Sequence, residues 1–291
     1  SSDGSVLAVG SVGYEDGLGR VRIYGWDSTT DDWVQMGNDI SGQQVEEGTG
    51  YSVSLNSAGD IVAIGAIDSF VEAQVFGVTI QLNHGETRIY QYTNGSWVQM
   101  GSDISGNIDS KTGNAVSLSD SGTRIAVGAL TDYSGNDASE SRGSVSVYDW
   151  NGTTWNLVGD KIYGENLQDE NGYSINLNAT GDTLAIGAIK YDSENTDVGQ
   201  VRVYKYINAG GWTQIGSDII GTSAYDQTGT GVALNDDGTI LAVGSAYVDP
   251  SNNGSISVYE YSSESGWSVL GDVINGLYYE GNLGFSIKLN S

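Results

Sequence analysis

Three loops of this chain gather oxygen donors closely enough to interest a hard cation. Asp132, Asn136 and Asp137 fall in TDYSGNDASES (131–141), Asp192, Glu194 and Asp197 in KYDSENTDVG (190–199), and Asp249, Asn252 and Asn253 in YVDPSNNG (247–254). Calcium takes carboxylate, amide and carbonyl oxygens of this kind, and it is the ion these loops would hold. None has the full spacing of a calcium loop, so calcium is a candidate ligand and not a required cofactor. A second set of acids, Glu47, Asp109, Asp169, Asp226 and Glu280, recurs just ahead of similar Gly-containing stretches. Together they would form an acidic ring suited to ligand binding. Singly, each would cap a turn through backbone N–H groups. Phe70 and Phe76 lie in an unusually long segment, DSFVEAQVFGVTIQLNHG (68–85). Its alternating Val78, Ile80 and Leu82 predict an extra hairpin packing its apolar side on the body, or else a partner contact exposing Phe70 or Phe76.

Catalytic motifs are scarce. There is no Cys and a single His, His84, which leaves no Ser-His-Asp set, no thiol nucleophile and no Cys-based zinc site. His84, alone in its loop, is expected at the surface. A glycosidase needs two carboxylates facing each other across a sugar, yet the strands expected to line the centre offer Ser, Asn and Lys288 but no acid. The residues therefore predict no enzyme.

With a net charge of −26 the chain is a poor partner for nucleic acid or anionic lipid, and no apolar run is long enough to insert in a membrane. A glycan or an extracellular protein remains as partner, and the charge itself favours a dispersed, monomeric domain.

The elements that must position these loops come from a repeat. GYSVSLNSAGDIVAIGA (50–66) returns as GNAVSLSDSGTRIAVGA from Gly113, GYSINLNATGDTLAIGA from Gly172 and GTGVALNDDGTILAVGS from Gly229. The turn glycines Gly4, Gly59, Gly122, Gly181 and Gly238 are spaced by 55, 63, 59 and 57 residues, and counting from Gly238 across the chain ends to Gly4 gives 57 again. Each unit carries four strand signals: an alternating strand, a continuously apolar one, a second alternating one such as VRVYKY (201–206), and one opening at a Trp, as in WVQMG at Trp33 and Trp97. Asn-Gly at 94–95 and 151–152 is a tight-hairpin signature. Four-stranded meanders repeated in this way predict an all-β, five-bladed β-propeller forming one domain, 1–291. The blades are 1–49 plus 284–291, 50–112, 113–171, 172–228 and 229–283, and the C-terminal strand completes the N-terminal blade. The repeated Tyr and Trp read as packing residues.

At GYSVSLN…GDIVAIGA the repeat resembles FG-GAP repeats, the units of integrin-α-type propellers. That resemblance implies an extracellular or cell-surface interaction domain binding a glycan or protein, or a structural repeat domain of a larger secreted protein. The calcium loop common in that family does not carry over, because the link between the first two strands has shrunk to NSAGD or its equivalents. The chain opens inside a repeat with no signal peptide, so mature or excised material is expected.

Overall fold

The computed structural model describes the whole chain except residues 136, 194, 248–252, 278–280, 290 and 291. The alternating and apolar segments fold into five antiparallel sheets with strands in sequence order. The first sheet contains Val6–Ser11, Arg20–Asp27 and Asp32–Gln35; the second Thr49–Leu55, Ile61–Ala66, Glu86–Thr93 and Ser96–Gln99. The third holds Thr112–Leu118, Arg124–Ala129, Ser144–Trp150 and Trp155–Leu157. Asn171–Leu177, Thr183–Ala188, Gln200–Ile207 and Gly211–Gln214 make the fourth; Thr228–Leu234, Ile240–Ser245, Ser255–Ser262 and Gly266–Val269 make the fifth. The only helical turns among the described residues are Ala138–Glu140 and Asn208–Gly210.

Each sheet also has a segment that the four-strand pattern does not contain. After a left-handed glycine (Gly37, Gly101, Gly159, Gly216 or Gly271) the chain bends, and two more residues pair with the third strand. These are Ile40–Ser41, Ile104–Ser105, Ile162–Tyr163, Ile219–Ile220 and Ile274–Asn275. The recurring Ile buries its side chain in the first four sheets but not in the fifth.

The turn after each first strand is fixed by one device. Gly4, Gly59, Gly122, Gly181 and Gly238 adopt φ of 69–73°, a region open to glycine at little cost. The Asn56, Asn178 and Asn235 side chains each accept the N–H that opens the next strand, at 2.8–2.9 Å. Ser119 does the same for Arg124, and Ser1 for Val6.

Four apolar clusters join the five sheets face to face in chain order. Every junction repeats one hydrogen bond: the indole N–H of Trp97, Trp155, Trp212 and Trp267 donates to the carbonyl of Met36, Met100, Val158 and Ile215 in the preceding sheet, at 2.7–3.1 Å. Each of these rings also packs on an aromatic of its own sheet, with centroids 5.1–5.3 Å apart. Gly10, Gly65, Gly128, Gly187 and Gly244 lie against the backbone of Gly50, Gly113, Gly172, Gly229 and Gly284, leaving no room for a side-chain carbon.

Among the described residues no such cluster or indole bond joins the fifth sheet to the first. Leu7 and Val9 on the first sheet are exposed, as is Trp33, whose indole N–H has no partner among the described residues. On the fifth sheet Leu270 and Ile274 are exposed as well. Gly284 nonetheless docks on Gly244 as its equivalents do, and Lys288 lies close enough to the Ser1 ammonium to lower its pKa, a smaller influence than burial. The two chain ends therefore approach one another, although no strand pairing links 284–289 to Val6–Ser11 among the described residues.

Candidate functional site

The loop acids fall into two structural classes. Glu47, Asp169 and Asp226 occupy the same place in their repeats and are almost wholly buried. Each turns its carboxylate back onto its own loop: Glu47 accepts the N–H of Gln43 and Gln44, Asp169 that of Asn166, and Asp226 those of Thr222 and Ser223, at 2.7–3.0 Å. These three acids fasten the loop that leads into the next first strand. Asp109 belongs to the other class. Ser110 stands in the capping place of its repeat, while Asp109 is exposed one residue earlier, at φ 60°. Glu280 lies outside the described residues.

The buried acids differ in their compensation. Glu47 pairs with Arg88, whose other nitrogens reach Glu86 at 2.6 Å and Asp103 at 3.2 Å. Burial works against the Arg88 charge, but the surrounding carboxylates overcome it and hold its pKa above the ordinary value. Asp169 has no cation in contact, and one of its oxygens lacks any partner. Burial pushes its pKa up.

The residues proposed for a cation are dispersed or already engaged. Asp132, fully buried, receives Lys161 at 2.8 Å, Ser144 at 2.7 Å and Asn107 at 2.7 Å. Asp137 caps the short helical turn by accepting from Ser139, which holds its pKa low. Asp192 accepts the backbone N–H of Asp197 at 2.7 Å. Asn253 is half-buried, and its side-chain Oδ1 has no partner among the described residues. Asn136, Glu194, Asp249 and Asn252 lie outside the described residues. Among the described residues no three His, Cys, Asp or Glu side chains converge as a metal would require.

A different group does converge, at the segment unique to the second repeat. Phe70–Val75 and Val78–Asn83 form the expected hairpin, closed by Phe76 and Gly77, both at positive φ as a tight two-residue turn demands. Its orientation corrects the expectation that its apolar side packs on the body. Val71, Ala73, Val75, Val78, Ile80 and Leu82 share one face by register, and Val71, Val75, Val78 and Ile80 are exposed. Phe76, at the tip, is fully exposed. The other face carries Phe70, which is half-buried, and Gln81 and Asn83, which are exposed, and the hairpin foot is anchored: Gln44 accepts the Phe70 N–H at 3.2 Å, and the Ser69 carbonyl accepts from His84 and Gly85. His84 is itself buried, not on the surface, with Nδ1 2.9 Å from the Gly85 carbonyl.

This face borders an open cavity of about 230 Å³ lined by Glu46, Asp68, Phe70, Gln81 and Asn83, of which Glu46, Gln81 and Asn83 are exposed and Asp68 and Phe70 half-buried. Two acidic residues, two carboxamides and one aromatic residue thus border one open cavity. Backbone fixes the two acids relative to each other, since the Asp68 N–H donates to the Glu47 carbonyl at 3.2 Å and Glu46 sits at φ 65°. Glu46, Asp68, Gln81 and Asn83 were not singled out from sequence. The signal lay in the hairpin's period of two, which puts Phe70, Gln81 and Asn83 on one side.

No protein-family model matches the chain, and no curated protein matches it in sequence. Among solved structures it is similar to a putative 6-phosphogluconolactonase from Bacteroides uniformis, at TM-score 0.41 and 9% identity over 94% of this chain and 97% of that one. A second, from Bacteroides fragilis, gives 0.43 and 9% over 98% of each chain. The FG-GAP resemblance is corrected, because no family model of that or any other kind matches the chain. The expectations of a non-enzymatic adhesion module and of an extracellular or cell-surface location rested on that resemblance and are not retained. Both neighbours bear an enzyme's name, but likenesses this distant do not transfer an activity.

Proposed function

We propose that the five sheets are blades of a closed five-bladed propeller and that the cavity beside the second blade is a hydrolytic small-molecule site. Closure is supported by the register of the Trp residues. In every formed junction the indole donates to the carbonyl that closes the preceding blade's fourth strand. In a closed ring the same register would bring Trp33 to the Leu270 carbonyl and 284–289 alongside Val6–Ser11.

The observation that carries the functional reading is the convergence of Glu46 and Asp68 with Gln81, Asn83 and Phe70. A carboxylate in such a cavity acts as general base. It takes a proton from water as the water oxygen bonds to the electrophilic carbon; the bond to the leaving oxygen breaks, and that oxygen receives the proton. The carboxamide N–H groups of Gln81 and Asn83 are the donors available to a developing oxyanion. The ring of Phe70 supplies an apolar wall for the substrate.

The test is hydrolysis of a panel of sugar lactones, aryl esters and aryl glycosides. Glu46→Gln and Asp68→Asn should each lower kcat by about 100-fold or more while leaving the melting temperature within a degree or so of the parent. Parental rates in both variants would sink the assignment.

A further inference from the structure

We infer that this cavity takes an uncharged, hydroxyl-rich molecule of about one sugar ring and turns away its phosphorylated counterpart. The inference rests on the reading of the cavity as the working site. Size comes first: at about 230 Å³ the space falls below the roughly 300–1,000 Å³ of pockets that hold drug-sized ligands. The polar lining comes next. Glu46 and Asp68 accept hydroxyl hydrogens, while Gln81 and Asn83 both donate and accept, so the groups suit a molecule with several neighbouring hydroxyls. The face of Phe70 matches the C–H side of such a ring.

Charge decides against an anion. None of the five lining residues is basic. Eight of the eleven Lys and Arg residues are tied to carboxylates: Arg20 and Arg22 to Asp39, Arg88 to Glu47, Arg124 to Asp149, Lys161 to Asp132, Lys190 to Glu170, Arg202 to Glu165 and Lys205 to Asp182. Lys111, whose backbone passes beside Gly85 at the hairpin foot, is on the neighbouring loop and does not line the cavity. A phosphate dianion would therefore face two carboxylates without a lining cation, in a chain whose net charge is −26. Repulsion of this kind is screened by salt.

The experiment compares gluconolactone and methyl glucoside with their 6-phosphates, by calorimetric titration and by hydrolysis rate, at low and high ionic strength. The neutral forms should bind at least about 30-fold more tightly at low salt, with the gap narrowing as salt rises, because only the charged pair is screened. Gln81→Lys, a change on an exposed hairpin strand, should narrow the gap by adding a cation to the wall. Equal or tighter binding of the phosphorylated forms by the parent protein overturns the inference but leaves the site standing. Binding of neither kind overturns the site itself.

Discussion

Replacing each junction tryptophan by phenylalanine measures whether the five sheets close into a ring. The substitution keeps an aromatic ring and removes the indole N–H. At Trp155 it takes away a 2.9 Å bond to the Met100 carbonyl and leaves that acceptor inside the junction. A net hydrogen bond contributes about 1 kcal/mol, and an acceptor left buried without a partner costs about 1–3 kcal/mol. The expected loss is thus about 2 kcal/mol, or about 4 °C in a chain of this size. Trp97→Phe, Trp212→Phe and Trp267→Phe should fall in the same range, since their bonds are 2.7, 3.0 and 3.1 Å. Trp33→Phe discriminates. In a closed ring its indole reaches the Leu270 carbonyl and the variant loses as much as the others. On an open end, a ring 39% exposed with no N–H partner would change stability by no more than about 0.5 kcal/mol. Melts of the five variants, run side by side with urea titrations, give the answer. A Trp33→Phe protein indistinguishable from the parent, beside a destabilised Trp155→Phe, would falsify closure.

Arg88→Ala should cost about 3–5 kcal/mol, because it strands the fully buried Glu47 carboxylate; a urea midpoint near the parent's would show that Glu47 is satisfied by its loop alone. Asp169 has a raised folded pKa, so its contribution is most favourable below the ordinary aspartate range and is lost as pH rises through the folded value. Asp169→Asn keeps an acceptor for Asn166 and removes the charge, so its stability relative to the parent should rise between about pH 4 and pH 7; the opposite slope in paired melts would refute this. Melting in EDTA and in millimolar calcium at fixed ionic strength should coincide, since Asp132, Asp137 and Asp192 are engaged internally. A calcium-specific rise, about 2.7 kcal/mol at 100 times Kd, would return a cation to these loops.

The all-β repeat was legible because its markers are backbone requirements. The glycine before each apolar strand must take positive φ, and the Trp must meet a carbonyl one sheet back, so both recur at fixed places. The two-residue strands were missed although DI, KI or VI recurs after each Trp-initiated strand, because two residues are too few to show a period. The loop acids misled for a different reason. A capping carboxylate and a ligand-binding one have the same composition, and burial separates them, as Glu47 and Asp109 do here. The cavity was invisible because its walls come from Glu46, Asp68 and the polar face of a hairpin, whereas hydropathy draws attention to the apolar side.

The paired glycines bear on how such a chain can grow. Each contact joins the second strand of one sheet to the first strand of the next, as Gly65 meets Gly113 and Gly187 meets Gly229. A duplicated unit therefore brings half of the contact at each of its borders and fits between any two existing units without a new solution at either seam. The second repeat carries its extra hairpin between its second and third strands, away from these glycine contacts. The contact that joins one unit to the next and the loop that distinguishes the second unit thus lie on different parts of the repeat, so the loop can differ without altering the seam.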